Sequence, residues 1–180
     1  LSVKRGREMV MMHRIALTGY PGTGKDAAAA ELVRSYGFRR LAFADALKQE
    51  LLDLDPEYRD LEDLEWCKRH DVSSTREKLQ NLGMVFRRIG GPGYWIDKLM
   101  ETLDRECEWE HVVVTDVRMP NEAYALRALG FELVAVDREG FGPVNQHESE
   151  EGTEACKALA SRTVENTGTV EELAAQVLNM

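Results

Sequence analysis

The sequence predicts a doubly wound α/β domain built on a parallel β-sheet. Strand patterns alternate with helical patterns along the chain, as they do when helices connect parallel strands. Residues 112–115 are β-prone and apolar on both faces, which is typical of a central strand in such a sheet. Residues 15–17 form another apolar run, which leads directly into a glycine-rich turn and then a helical pattern.

Composition and charge restrict the class of protein. A chain of 180 residues, 43% hydrophobic and 31% charged, has the balance of one soluble globular domain. The formal net charge of -9 argues against a nucleic-acid polymer as the main partner, because phosphate backbones bind basic surfaces. Three widely spaced cysteines without a C-x-x-C pair indicate neither a disulfide framework nor a zinc site.

The same features predict where the protein acts. Since the sequence contains neither a signal peptide nor an apolar run approaching a membrane span, we expect a cytoplasmic protein without a membrane partner. Residues 1–12 are expected to be an extension that precedes the domain, and residues 13–180 to form the domain. The oligomeric state, monomer or homodimer, stays open.

The glycine-rich turn carries a phosphate-binding motif. Gly19, Gly24 and Lys25 match Gly-x-x-x-x-Gly-Lys, with Gly22 as an additional internal glycine. Glycines allow consecutive N–H groups to turn towards phosphate oxygens, the helix that follows adds the positive end of its dipole, and the lysine reaches the outer phosphates. The strand before it and the helix after it favour this motif over an ordinary glycine-rich turn.

Asp26 occupies the position where most such loops have Ser or Thr to hold Mg²⁺. A carboxylate there repels a triphosphate unless a metal ion or its bound waters lie between them. We therefore expect Asp26 to help hold Mg²⁺, directly or through water. The alternative is that it only places a favourable negative charge at the helix N-terminus.

The elements after the loop follow from local signals. The loop helix is expected to end near Ser35, with Gly37 as its C-cap. A second strand over residues 38–43 leads to Asp45, which we expect to cap the next helix. Residues 44–104 are then predicted to be a helical insert, whose later helices begin near Thr75 and at Tyr94.

The third strand, residues 111–116, ends in Asp116. An apolar strand that ends in aspartate is the Walker-B pattern, in which the carboxylate lies beside the phosphate loop. Arg118 follows, and a helix is expected to start at Pro120 and end at Gly130. A surface ion pair of Arg118 with Asp116 or Glu122 is the common alternative to a functional role.

The remaining elements complete the alternation of strands and helices. Residues 131–136 are predicted to be the fourth strand, with Arg138 just past its end, and residues 162–164 the fifth. Between them, residues 139–160 are expected to be a lid, mobile over residues 140–151 and helical over residues 155–159. A turn at residues 166–168 and a helix over residues 170–178 close the chain.

Several blocks, in this order, resemble one family over residues 13–180. The sequence is similar to the bacteriophage-type deoxynucleoside monophosphate kinases of the P-loop nucleoside monophosphate kinase group. The blocks lie at residues 19–26, 43–48, 76 with 80–83, 94–95, 116–122, 138, 147–150 and 165–173. Aspartate after the loop lysine is usual in that family, so Asp26 fits the resemblance. A phage-encoded member would act in the host cytoplasm.

The resemblance implies a three-layer P-loop kinase fold with a five-stranded parallel sheet, ATP as phosphoryl donor, Mg²⁺ as cofactor and a deoxynucleoside monophosphate as acceptor. The implied catalytic residues are Lys25, Asp26, Asp116 and Arg118. The residues expected to bind ATP are Gly19, Pro21, Gly22, Thr23, Gly24, Lys25, Asp26, Asn166 and Gly168. The lid residues are Arg138 and His147, with Lys157 and Arg162 as alternative lid cations.

The acceptor site is expected to combine phosphate-binding cations with a base and sugar pocket. Its predicted residues are Asp45, Lys48, Arg76, Gln80, Gly83, Trp95, Asp116, Arg118 and Glu122. Asp116 and Glu122 are expected either to orient Arg118 or to contact polar groups of the acceptor. For Trp95, a position in the core and a stacking role both stay open. Another small-molecule P-loop kinase, such as a dephospho-coenzyme A kinase, is the alternative enzyme, and a nucleotide-dependent switch is the alternative of another class. The guanine-reading Asn-Lys-x-Asp of GTPase switches is absent from the sequence.

Overall fold

The computed structural model describes residues 2–5, 8–70, 72–105, 111–143 and 148–179. The chain divides into two compact units. One unit, called here the sheet unit, comprises residues 1–42 and 106–180. The other, called here the helical unit, is Phe43–Arg105. The predicted insert, residues 44–104, lies within the helical unit.

The sheet unit begins with a hairpin that the sequence patterns did not predict. Its strands β1, Ser2–Arg5, and β2, Glu8–Met11, pair antiparallel as a separate two-stranded sheet. The main sheet then follows as five parallel strands, in agreement with the predicted fold class. They are β3 (His13–Thr18), β4 (Arg39–Leu41), β5 (His111–Val117), β6 (Glu132–Asp137) and β7 (Arg162–Glu165).

The eight helices of the described residues alternate with these strands. They are α1 (Lys25–Tyr36), α2 (Phe43–Leu54), α3 (Leu61–His70), α4 (Val72–Gly90), α5 (Tyr94–Arg105), α6 (Pro120–Ala128), α7 (Glu148–Leu159) and α8 (Val170–Leu178). None of them is long and apolar enough to cross a membrane.

The sheet has the strand order β4-β5-β3-β6-β7, which places β3 at its centre. On one face, buried side chains of the central strands pack against α1 and α8 in a single apolar core. Leu133 and Ala135 alternate along β6 with Val134 and Val136 of that core, so they point to the opposite face, where α6 and α7 contact β6. Helices on both faces of a parallel sheet make the three layers of an α/β fold.

Several predicted boundaries differ from the observed ones. The second strand ends at Leu41 rather than residue 43, and α2 already begins at Phe43, which places Asp45 inside its first turn and not at its N-cap. The strand β5 continues through Asp116 to Val117. The helix α7 begins at Glu148, so the predicted mobile segment, where it is described, is partly helical. Gly37 does cap α1, with a φ of 69°.

The helical unit has its own apolar core. Leu51, Tyr58, Leu64 and Leu79 are buried together, and they bring residues of α2, α3 and α4 into one cluster. The helix α4 begins at Val72, three residues before the predicted start, whereas α5 begins at Tyr94 as predicted.

Candidate active site

The phosphate-binding motif forms the turn between β3 and α1, as predicted. Gly19 and Gly24 have φ angles of 144° and 105°, which other residues rarely adopt. A Cβ atom at Gly19 would clash with the carbonyl oxygen of Val136, and one at Gly24 would clash with the side-chain amide of Asn166. These two positions therefore require glycine both for their backbone conformation and for the close approach of neighbouring chain.

The carbonyl oxygen of Tyr20 organises the loop. It accepts hydrogen bonds from Thr23 Oγ1 at 3.0 Å and from Lys25 Nζ at 2.8 Å. Thr23 is fully buried, and Lys25 is only 6% exposed. Pro21 follows Tyr20 in the same turn and is partly exposed. The loop thus holds its lysine ammonium at a defined point before any phosphate enters.

The electrostatics of Lys25 reflect this burial. The pKa of the ammonium is lowered from 10.5 to about 8, mainly by desolvation and to a smaller extent by the charge of Arg118. The carboxylates of Asp26, Asp116 and Glu150 act in the opposite direction. The pKa of Lys25 is therefore influenced by three predicted catalytic residues, Asp26, Asp116 and Arg118. It is also influenced by Glu150, which was not predicted to be catalytic.

Asn166 supports the phosphate loop. Its Nδ2 donates to the carbonyl oxygen of Thr23 at 2.9 Å, and its N–H donates to the carbonyl oxygen of Asp137 at 2.7 Å. The turn at residues 166–168, which was predicted to bind ATP, thus lies against the phosphate loop. In this structure the side-chain amide of Asn166 binds the backbone of that loop. Gly168 leaves room for the carboxylate of Glu172, which completes the capping box at the start of α8.

The end of β5 is irregular where Asp116 lies. Ala16 pairs with Val114 but Thr18 pairs with Val117, so β5 has one extra residue opposite β3 at this point. Such a bulge redirects side chains and is frequent beside active sites. The carboxyl ends of parallel strands meet at one edge of a sheet, and Asp116 therefore shares that edge with the phosphate loop.

The turn after β5 presents Arg118. Glu122 is only 3% exposed, and its Oε2 accepts the N–H groups of both Arg118 and Met119 at 3.0 Å. Of the two roles expected for Glu122, these hydrogen bonds favour orientation of the turn that carries Arg118. Arg118 is 36% exposed, and its Nη1 lies 3.9 Å from Oε1 of Glu150.

Helix α7 contributes Glu150 and Glu154, which the sequence analysis missed, and Lys157, which it named as an alternative lid cation. The hydroxyl of Tyr20 donates to Glu154 at 2.8 Å, and burial together with this carboxylate raises the pKa of Tyr20 to about 12. Lys157 binds Asp137 at 2.9 Å and lies 5.1 Å from the centre of the Tyr20 ring. The sequence feature that could have indicated Glu150 and Glu154 is their spacing of four residues, because a helix places residues at this spacing on one face.

The predicted lid residues have different surroundings. The guanidinium of Arg138 lies 5.1 Å from the centre of the Phe141 ring, and this ring in turn contacts Gly22 of the phosphate loop. Arg162 binds Glu132 and the carbonyl oxygens at the end of α8, so it stabilises the fold. His147 lies outside the described residues.

The helical unit holds the other predicted acceptor residues. Arg76, Gln80 and Gly83 are spaced along one face of α4. The Nε2 atom of Gln80 is buried and has no hydrogen-bond partner among the described residues. Lys48 is paired with Glu65 at 2.8 Å and lies 3.9 Å from Asp45.

Trp95 is a core residue of the helical unit. Its ring is 3% exposed and packs edge-on against Phe86 and Tyr94. Its Nε1 donates to the carbonyl oxygen of Gly83 at 3.2 Å. Of the two roles that the sequence left open, these contacts favour the core.

A metal ion would need ligands from the substrate as well as from the protein. Across the described ranges, no cluster of three or more His, Cys, Asp or Glu side chains could hold a metal by itself. Mg²⁺ usually binds one or two carboxylates together with substrate phosphates and water. The oxygen donors of Asp26 and Asp116, both close enough to influence Lys25, fit that pattern.

A parallel sheet of this order, with a phosphate-binding loop after its central strand, has the architecture of the P-loop kinase fold. The sequence model of the deoxynucleotide monophosphate kinase family matches residues 58–177, well over half of the chain. The chain belongs to that family. Because the match begins after the phosphate loop, the loop and the family match are separate observations.

The chain is also similar to individual proteins. A protein of Acanthamoeba polyphaga mimivirus, provisionally named deoxynucleotide monophosphate kinase, is 28% identical over an alignment of 191 positions, which covers 92% of this chain and 94% of that protein. Among solved structures, shikimate kinase from Acinetobacter baumannii in complex with shikimate is 14% identical, with a TM-score of 0.49 and coverage of 94% and 93%. The APS kinase of Mycobacterium tuberculosis in complex with AMPPNP and APS is 12% identical, with a TM-score of 0.41 and coverage of 93% and 96%.

Proposed function

We propose that this chain transfers the γ-phosphoryl group of ATP to a deoxynucleoside 5′-monophosphate, as a bacteriophage-type member of its family that acts in the cytoplasm with Mg²⁺. The observation that carries the proposal is the family match over residues 58–177 in a chain that also has a complete phosphate loop. In the reaction, a phosphate oxygen of the acceptor bonds to the γ-phosphorus, the bond to the β,γ-bridging oxygen breaks, and ADP leaves.

Binding of ATP would use the loop as it stands. Its N–H groups and the first turn of α1 receive the phosphates, and Lys25 exchanges the carbonyl oxygen of Tyr20 for a phosphate oxygen. The ammonium then stabilises charge on the transferring group in a site from which water is largely excluded. Bound phosphates also favour the protonated form of Lys25, which burial alone disfavours.

The acceptor needs cations rather than a strong base. The second pKa of a phosphate monoester is about 6, so its attacking oxygen is already ionised near neutral pH. Two negatively charged substrates must nevertheless approach each other. Arg118, in the turn shaped by Glu122, offsets this repulsion, and Lys48 and Arg76 of the helical unit are the further cations that we assign to the acceptor.

Asp26 and Asp116 would hold Mg²⁺ together with the phosphates of ATP. When bound, the ion neutralises charge on the β- and γ-phosphates. The exposed carboxylate of Asp26, at the first turn of α1, then no longer repels the nucleotide. The two carboxylates themselves need only remain ionised and correctly placed.

Gln80 is the residue that we assign to the base or sugar of the acceptor. A buried amide donor without a partner loses the hydrogen bonds that it would make in water. An acceptor oxygen on the base or sugar would satisfy this donor on binding. A site that holds a polar group ready for its substrate rejects analogues that cannot pair with it.

A panel of acceptors tests the proposal. The purified chain is incubated with ATP, Mg²⁺ and, separately, each deoxynucleoside monophosphate, each ribonucleoside monophosphate and dephospho-coenzyme A, and ADP is measured. We expect ADP to form with at least one deoxynucleoside monophosphate and only with an added acceptor. Phosphorylation of dephospho-coenzyme A alone, or ATP hydrolysis independent of any acceptor, would contradict the proposal.

A further inference from the structure

Glu150 is a buried carboxylate outside the predicted catalytic residues. It lies in the first turn of α7 with a side chain only 2% exposed, whereas the next residue, Glu151, is exposed. Ionised carboxylates are rarely buried to this extent unless they are paired. The guanidinium of Arg118 lies 3.9 Å away, and the charge of Glu150 also reaches Lys25.

Gly152 makes a second contact between α7 and the same turn. A Cβ atom at this position would clash with the carbonyl oxygen of Arg118 and lie 3.0 Å from the sulfur of Met119. The helix therefore approaches the Arg118 backbone as closely as only glycine permits. The N–H groups of the same two residues, Arg118 and Met119, donate hydrogen bonds to Glu122.

The other end of this helix face is bound to the phosphate loop. Glu154, one turn after Glu150, accepts the hydroxyl proton of Tyr20, whose carbonyl oxygen holds Lys25. One face of α7 thus contacts both the loop that would bind the donor and the turn that carries Arg118. A rigid element shared by two groups fixes the distance between them.

We propose that Glu150 is the positioning residue for Arg118, through which α7 sets the guanidinium in place for the acceptor phosphate. This inference rests on the proposed function, in which Arg118 binds the acceptor, and assigns to α7 the positioning of that arginine. An arginine side chain loses rotamer entropy when it is immobilised. A guanidinium that already lies beside a buried carboxylate loses less of that freedom when the acceptor binds.

The test compares Glu150→Gln with Glu151→Gln, which removes a charge from the adjacent, exposed position. We expect Glu150→Gln to raise the KM for the deoxynucleoside monophosphate about tenfold and to leave the KM for ATP near its wild-type value, because alignment of one substrate is lost. Glu151→Gln should change neither constant. Equal changes in both KM values, or none, would overturn the inference.

A double variant separates positioning from simple stabilisation. If Glu150 acts through Arg118, Glu150→Gln should add nothing to the acceptor KM once Arg118→Ala is present. Additive effects, or a lowered Tm with an unchanged acceptor KM, would identify Glu150 as a structural residue and contradict the inference.

Glu150→Asp keeps the charge but shortens the side chain, and so serves if Glu150→Gln does not fold. It should likewise raise the acceptor KM selectively, and a normal acceptor KM in this folded variant would overturn the inference. Absence of any deoxynucleotide turnover by the wild-type chain would overturn the proposed function, and the inference with it. Normal wild-type turnover with unaffected variants would overturn the inference alone.

Discussion

The ammonium of Lys25 donates a hydrogen bond of 2.8 Å to the carbonyl oxygen of Tyr20, five residues earlier in the same loop. This contact keeps a buried cation close to the point where the loop N–H groups would meet phosphate. It also gives the lysine a partner that a phosphate oxygen can replace, because both are hydrogen-bond acceptors.

Replacing Lys25 tests its role in phosphoryl transfer. Lys25→Ala should reduce kcat on the order of 10²-fold or more, because the cation stabilises charge that develops on the transferring group. Circular dichroism and the urea unfolding midpoint would show whether the variant still folds. Near-normal turnover in a folded variant would sink the assignment of this loop to the donor.

The same residue predicts a pH dependence of stability. Burial lowers the pKa of Lys25 from 10.5 to about 8, so between these values the unfolded chain binds more protons than the folded chain. The free energy of unfolding should therefore gain a contribution that rises with pH over this interval. This contribution is measured by urea unfolding of the wild-type chain and of Lys25→Met at several pH values in this interval. The wild-type curve should rise relative to the variant, and parallel curves would show that the ammonium is not desolvated.

Asp26 should affect the metal requirement. We expect Asp26→Ala to need more Mg²⁺ for half-maximal activity, because a carboxylate close to the phosphates contributes an oxygen ligand or binds a metal-bound water. Activity is measured against Mg²⁺ concentration at fixed ATP, with Asp104→Ala as a control for loss of an exposed carboxylate elsewhere. Coincident Mg²⁺ curves for wild type and Asp26→Ala would reduce Asp26 to a helix N-terminal charge.

Arg76 should act on one substrate only. Arg76→Ala is expected to raise the KM for the deoxynucleoside monophosphate about tenfold or more, with a much smaller change in the KM for ATP, because a phosphate-binding arginine aligns the substrate that it touches. Arg88→Ala, an exposed arginine on the same helix, is the matched control. Comparable increases in both KM values would show that Arg76 is not dedicated to the acceptor.

Local patterns predicted much of the fold. The alternation of strands and helices indicated a parallel sheet, and β3, β5, β6 and β7 lie within one or two residues of their predicted bounds. The glycine spacing and the apolar strand before Asp116 located the phosphate loop and the end of β5. These signals succeed because the preferred φ angles of glycine and the two-residue period of a strand are properties of the chain segment itself.

Local patterns could not supply contacts whose partners lie farther away in the sequence. Nothing close to Glu150 in the chain indicates that it faces Arg118, and nothing close to Trp95 shows that its ring closes a core with Phe86.

The sequence by itself determined the element types, the phosphate loop and the residue types available for phosphoryl transfer, because each depends on neighbours within a few positions. Tertiary structure decided which of those side chains are buried and paired. The hydrogen bond from Asn166 to Thr23 spans 143 positions, and the contact of Gly152 with the Arg118 backbone joins a helix to a distant turn. Such contacts form only when the sheet brings the carboxyl ends of its strands to one edge.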